Sequence, residues 1–405
     1  MDKKRNAAIW TAIGLVITLV LGYLLIRNIG VPEGRPLTTL SPRGDKSKNI
    51  QDLTVPVFAI AGVVFIVVEI GLVWLVRRFR RTDEDEDGVE EPEQVHGNTR
   101  LEIGWTVVPA LLLAILAVFN VQSILYMDDA KDPIEITVVG QQWWWEYRYD
   151  LDSNGTVDII TATEAAIPVG RDVVFKIQSN DVIHSFWIPA LAGKMDAVPG
   201  RTHERVMQAS EPGLYQGQCT EYCGLSHGVM RMQVKALEQA DYDTWVERMT
   251  TPPDQPAATD ELAVAGQTLF VTQCSFCHQV NGLDPNSKAP YTYSETPDPN
   301  YGKSVNISMA SGNAPNLTHL MMRDYFAGGL LRLYDDLPED DGRLEDSSKV
   351  EAVPSGTPDE NNIKRWLRNP EDVKPMNPNN NQGMPNYNLS EQQIEQLTAF
   401  LLTLK

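Results

Sequence analysis

The stretch QCTEYCGLSHGVM, Gln218–Met230, carries Cys219, Cys223, His227 and Met230, four soft or borderline metal ligands within twelve residues. Thiolate, thioether and imidazole together favour copper or another soft metal, because soft donors match soft ions. A single cysteine with a histidine and a methionine would describe a one-copper electron-transfer site. Two cysteines in one loop change that reading, since two thiolates can bridge two coppers. Such a pair needs a further imidazole, and DVIHSFWIP supplies His184 upstream. A structural zinc site of Cys, Cys and His is the competing reading. It leaves the methionine without a role, and tightly spaced zinc pairs more often read CxxC.

The segments around this loop read as strands. IEITVVGQQWWWEYRYD (Ile134–Asp150) is rich in β-branched and aromatic residues and reads as strand. RDVVFKIQS, HERVMQAS and RMQVKAL follow, separated by Pro, Gly and Asn turns. That pattern predicts a small β-sandwich or barrel of roughly a hundred residues, with His184 and the Cys-rich loop meeting at one end. Further on, EQADYDTWVERM reads as helix and TTPPDQPAATDE as a Pro-rich linker. A second soluble unit opens with the helical ELAVAGQTLFVTQ and closes with SEQQIEQLTAFLLTL. QCSFCHQV inside it has Cys274, Cys277 and His278 in the CxxCH spacing that attaches c-type haem. The alternative, a CxxC redox pair, does not use the adjacent histidine. These two motifs consume all four cysteines, so none remains for a structural disulfide.

Toward the N-terminus, Ala7–Ile26 is an uncharged apolar run, Val55–Val76 carries only Glu69, and Ile103–Tyr126 is uncharged. Each is long enough to cross a hydrocarbon core of roughly 30 Å as a helix. The first could instead be a signal peptide, but it is long for one and lacks a small-residue cleavage site. The compact RRFRR cluster, Arg77–Arg81, favours a cytoplasmic N-terminus and leaves everything after about residue 126 outside. A net charge of −20 argues against nucleic acid as a partner. The acidic loop Tyr334–Asn361 reads either as a docking field for a cationic donor or as solvated surface.

CTEYCGLSHGVM, with DVIHSFWIP and GQQWWWEYRY upstream and RLEIGWTVVPALLL in the membrane part, resembles cytochrome c oxidase subunit II with its binuclear CuA centre, over roughly residues 50–250. The resemblance implies His184, Cys219, Cys223, His227, Met230 and the backbone carbonyl of Glu221 as copper ligands. It implies the Glu221 side chain at a magnesium ion on the subunit I boundary. It also implies Trp143 as the residue that admits electrons to CuA, against core packing as the plainer role, and Glu102 at the mouth of a proton pathway, against an interfacial anchor. The family's quinol oxidases share the fold and lack the copper ligands. GMPNYNLSEQQIEQLTAFLLTLK resembles the end of a class I cytochrome c, which implies Met384 as the distal haem ligand. Met376 is the competitor, and His319 a weaker candidate.

The expected fold is multidomain: transmembrane α-helices at about 7–27, 55–77 and 103–126 within residues 1–127, a cupredoxin-like β-sandwich or barrel at 128–238, a linker at 239–260 and an all-α class I cytochrome c domain at 261–405. The expected role is relay of electrons from an external donor through a covalent haem c and CuA to subunit I, in a bacterial cytoplasmic membrane with subunit III as a further partner. A nitric oxide reductase subunit and a free membrane-tethered carrier are the rival readings. Glu69, inside a spanning segment, is expected to be a protonated group bonded to a partner subunit.

Overall fold

The computed structural model describes residues 37–80, 96–155, 157–281, 283, 314–337, 350–380 and 382–405. The apolar run at 7–27, most of the loop Asn281–Gly312 and residues 338–349 of the acidic loop lie outside the described residues. The chain divides into two compact units, one formed by Lys48–Asp129 and the other by Ala130–Lys405 together with the described residues up to Ser47.

In the first unit, helix α1 (Asp45–Arg78) and helix α2 (Thr99–Met127) are both long and apolar enough to span a membrane. Their apolar side chains are exposed within the chain, as a lipid-facing or subunit-facing surface would be. Glu69 is exposed on α1. Ser123 donates to the Asn49 side chain and ties the two helices together at one end. Asn98 caps α2 through Leu101 N, and the Glu102 carboxylate accepts from Asn98 N at 3.1 Å. Helix α1 begins ten residues before the apolar run at Val55. Polarity predicts an end there. The extension exists because Ser47 is buried in the soluble unit, its hydroxyl donating to Ala190 O at 2.6 Å and its N–H to Leu191 O at 3.1 Å.

The soluble unit begins with two sheets around one core. Strands β1 (Ile134–Gln141), β2 (Trp144–Tyr149), β3 (Ile159–Ala162), β5 (Val173–Ser179) and β8 (His203–Met207) form a sheet of order β3-β2-β1-β5-β8. Strands β4 (Glu164–Pro168), β10 (Arg231–Leu237) and β9 (Gly213–Gln218) form the second, and β6 (His184–Phe186) pairs with β7 (Met195–Ala197). Ile136, Tyr147, Phe175 and Phe186 meet Met232 and Val234 in the buried core. Tyr149 stitches the sheets together: its hydroxyl donates to Ala166 O at 3.0 Å and accepts from Ala166 N at 2.9 Å.

Ile134–Asp150, read as one strand, is two. Gln141 pairs with Trp144, so Gln142 and Trp143 form a two-residue hairpin turn. The turn carries none of the Gly or Asn residues that mark such hairpins. Tertiary contacts hold it instead, because both side chains donate to the carbonyl of Cys223.

After helix α3 (Gln239–Met249), a second core gathers Phe270, Leu320, Leu333, Ile363, Leu397 and Phe400. It is built by α4 (Glu261–Leu269), α5 (Glu360–Arg368), the short α6 (Pro370–Val373), α7 (Glu391–Leu401) and the two-residue strands β11 (Tyr325–Phe326) and β12 (Leu331–Arg332). Helix α7 starts with a capping box between Ser390 and Gln393. At Gly266 the α4 backbone passes so close to Gln396 O of α7 that no side chain fits. The expected helix through Gln273 ends instead at Leu269 and continues as one wider turn, Phe270–Cys274, which delivers Cys274.

Candidate metal centre and cofactor cavity

The β9–β10 connection closes on itself, since Cys219 N donates to Met230 O at 2.9 Å and extends the ladder of the two strands by one step. Thr220 N donates to Ser185 O at 3.1 Å and Gln218 N to Trp187 O, which lays β6 against the neck of the loop. These bonds bring His184 to the loop although 35 residues separate it from Cys219. Gly140 makes room for the ring, because a Cβ there would stand 2.9 Å from His184 Cδ2.

All six sequence-predicted donors converge. Cys219 Sγ lies 3.8 Å from Cys223 Sγ, 4.0 Å from His184 Nδ1 and 3.2 Å from the Glu221 carbonyl oxygen. Cys223 Sγ lies 3.7 Å from His227 Nδ1 and 3.8 Å from Met230 Sδ. Cys219, Cys223, His184 and Met230 are buried. The hydrogen bond from Cys223 holds the Cys219 thiol down at about 4, with burial opposing and His184 assisting. Cys223 is correspondingly driven up by its neighbour and by burial. Asp181 Oδ1 sits 2.7 Å from His184 Nε2 and fixes which ring nitrogen faces the sulfurs. Burial pulls the His184 imidazole down, and the bonds to Asp181 and Cys219 outweigh it and raise the net value. Sequence reading missed Asp181, whose signal was an acid three residues before the histidine. The Glu221 side chain is exposed.

A cavity of ≈ 520 Å³ lies in the same soluble unit, within the size range of cofactor sites. Cys274, Cys277, His278, Met376 and Met384 line it, with an apolar wall that includes Phe270, Leu320, Trp366 and Leu401. His278 Nδ1 is 2.9 Å from Pro315 O. Burial lowers its pKa, with the Pro315 bond opposing, and favours the neutral imidazole that binds metals. Burial and the neighbouring Cys277 push the Cys274 thiol up to about 12. Both candidate methionines reach the cavity, and Met384 N donates to Met376 Sδ at 3.2 Å. Met384 packs in the second core and Met376 against the first. His319 is buried outside the cavity lining.

Trp143 belongs to both places. It is 2% exposed, it lines the cavity, and its indole Nε1 donates to Cys223 O at 2.9 Å. Lys374, also missed in the sequence, lines the cavity and donates to Trp143 O. Burial brings its ammonium down to about 7, with Cys223 opposing. Glu164 and Lys235 of the sheets meet Asp324 of the C-terminal segment at 2.9 and 3.0 Å from Lys235 Nζ, all three buried. The two cores are thus joined by a buried ion cluster.

Comparison with known proteins follows the same division. Residues 150–237 match the family described as cytochrome c oxidase subunit II, periplasmic domain, and residues 41–123 match its transmembrane domain. The chain is 32% identical over 396 residues to cytochrome c oxidase subunit 2 of Alkalihalophilus pseudofirmus, covering 96% of each chain. It is 32% identical over 234 residues to quinol oxidase subunit 2 of Bacillus spizizenii, covering 55% of this chain and 69% of that one. A solved periplasmic domain of cytochrome oxidase subunit II from Bradyrhizobium japonicum is 30% identical, covering 30% of this chain and 96% of that one with a TM-score of 0.28. The transmembrane match covers most of α1 and α2 and the periplasmic match covers β3 to β10, so this is a membrane protein whose soluble part is extracytoplasmic. With identity running over 96% of its length, the chain belongs to the cytochrome c oxidase subunit II family, the electron-relay subunits of terminal oxidases.

Proposed function

We propose that this chain is subunit II of a cytochrome c oxidase that takes electrons from an external donor through its own c-type haem and binuclear CuA, and passes them to haem in subunit I. There oxygen is reduced and protons are pumped. The observation that carries the reading is the pair of buried sulfurs 3.8 Å apart with two imidazole nitrogens, a thioether and a carbonyl within 4.0 Å of one or the other. That donor set fits two soft ions better than one zinc, which needs four ligands and no methionine.

Copper would be held by Cys219, Cys223, His184, His227, Met230 and the Glu221 carbonyl, and supplies one-electron storage with little rearrangement. The residues around it contribute a rigid frame: the β9–β10 ladder sets the loop's neck, and Asp181 orients His184. The haem would be attached at Cys274 and Cys277 and ligated by His278 and Met384, where the thioether raises its potential. The cavity volume, the apolar lining and the neutral histidine support that fit. On this reading the sheets form a cupredoxin-like domain at 128–238, and residues 261–405 a class I cytochrome c domain after the 239–260 linker. Trp143 carries electrons toward Cys223. The exposed Glu221 carboxylate faces a magnesium ion at subunit I, and Glu102 lies at the mouth of a proton pathway. Subunit III and a cytochrome or copper-protein donor complete the assembly.

Purifying the native complex and measuring copper, covalent haem and oxygen uptake tests this directly. Two coppers and one haem c per chain with oxygen consumption are expected. Nitric oxide reduction without oxygen uptake would instead assign the chain to a nitric oxide reductase, and purification without a haem-bearing partner would make it a free carrier.

A further inference from the structure

The wall between the cavity and the copper loop is the hairpin turn Gln142–Trp143. On one face, Gln142 Nε2 and Trp143 Nε1 both donate to the Cys223 carbonyl, at 2.7 and 2.9 Å. On the other face, two side chains of the C-terminal segment hold the same dipeptide: Lys374 Nζ donates to Trp143 O, and Gln382 Nε2 donates to Gln142 Oε1 at 2.9 Å. A turn without turn-forming residues is thereby gripped on both sides. Lys374 is 4% exposed, and removing an ammonium from water is costly unless strong polar contacts replace the lost hydration. Space has been cleared for it. Gly328 has φ +73°, and a Cβ at that position would run into Lys374 Nζ and stand 3.1 Å from Trp143 O. Nearby, Ser226 of the copper loop donates to Pro375 O, so the residue after Lys374 is fixed to the metal loop as well.

We propose that Lys374, assisted by Gln382, is a positioning residue for electron transfer within the chain: it locks the Gln142–Trp143 turn onto Cys223, so that one bonded path joins the cavity wall to the copper loop. This rests on the reading that haem c occupies the cavity and copper the loop. The step it serves moves one electron. With both groups bound, a haem held at Cys274, Cys277 and His278 would give up one electron, supplied by the external one-electron donor, to copper held by Cys219 and Cys223, so that one group is oxidised as the other is reduced. Lys374 acts through Trp143, whose carbonyl accepts its hydrogen bond.

The test uses the full-length chain in detergent and the intact oxidase, with Lys374→Met and, because a buried-lysine variant can fail to fold, the gentler Gln382→Ala. In the cofactor-free chain, backbone hydrogen exchange should quicken at Gln142–Trp145 and Cys223–Ser226, while α3 around Trp245, in the same core, keeps its protection. In the loaded complex, with copper and haem content unchanged, electron transfer from haem to copper after flash reduction should slow by about tenfold, within the roughly 10²-fold that a misplacement of about 1 Å can cost in positioned reactions. Gln382→Ala should show the same pattern more weakly. Unchanged exchange at the turn, or faster exchange everywhere including α3, would overturn the proposal, the latter by making Lys374 a packing residue only. A chain that takes up neither copper nor haem would sink the cofactor reading, yet the exchange measurement would still decide what Lys374 does.

Discussion

The two cysteine pairs of this chain sit in opposite electrostatic settings. Cys219 and Cys223 face each other across 3.8 Å and are flanked by two histidines, and the hydrogen bond between them lowers the Cys219 thiol, which favours thiolate there. Cys274 lines an apolar cavity, and burial, reinforced by Cys277, pushes its thiol up to about 12, a setting that disfavours thiolate. Spacing in the sequence separates the pairs, but environment gives them different chemistry. One pair is closed by its own strands, whereas the cavity's wall comes from segments between residues 270 and 401 plus a turn of the sheet domain.

The sharpest way to break this comparison is to remove one sulfur from each pair. Cys219→Ser should abolish the mixed-valence copper spectrum and oxidase turnover while the haem spectrum survives. Cys277→Ser should do the reverse to the spectra, weakening covalent haem and sparing copper. Metal analysis with visible spectroscopy of both variants decides it, and one zinc with no copper in the native protein would reverse the assignment of the first pair.

The methionines come next. Met384→Ala should remove the sulfur–iron charge-transfer band and lower the haem potential. Met376→Ala should keep the band, because its sulfur accepts a hydrogen bond from Met384 N. A band lost only in Met376→Ala would exchange the two roles.

A smaller effect is expected where the cores join. Lys235→Ala leaves Glu164 and Asp324 buried without their cation, and breaking a buried pair in this way costs about 3–5 kcal/mol. Thermal unfolding of the full-length chain should show the loss, concentrated in the C-terminal core.

The smallest effect concerns pH. Burial, reinforced by Asp324 and opposed by Lys235, holds the Glu164 carboxyl up at about 7 from an ordinary value near 4.5. The folded state therefore keeps a proton that the unfolded chain releases. Glu164's contribution is fully present below about pH 4.5 and declines as pH rises through about 7. Glu164→Gln should flatten that part of the stability–pH curve measured by denaturant unfolding.

Much of the Cys219–Met230 donor cluster was legible because its donors are close in sequence and only His184 had to be imported. The two described membrane helices were legible from their apolar runs, except for the stretch of α1 that Ser47 anchors in the soluble unit. The Gln142–Trp143 turn was not, because nothing local specifies it: its hydrogen bonds to Cys223 and Gln382 run to residues 80 or more positions away, and the nearer one, from Gln142 N to Asp181, still spans 39 positions. Lys374 was invisible for the same reason, being one lysine among many until its contact 231 residues upstream is seen. Met376 and Met384 could not be separated by motif, and the fold brings both to one cavity, dividing them only by the core each joins.

The near-complete burial of Trp143 has a kinetic consequence. Since the same chain covers this indole, a molecule arriving from solution does not reach it, and on the proposed relay a current crossing it would obey first-order kinetics. Its rate would then be indifferent to donor concentration and to ionic strength. On that relay only delivery to the C-terminal segment would be a bimolecular encounter that salt can screen.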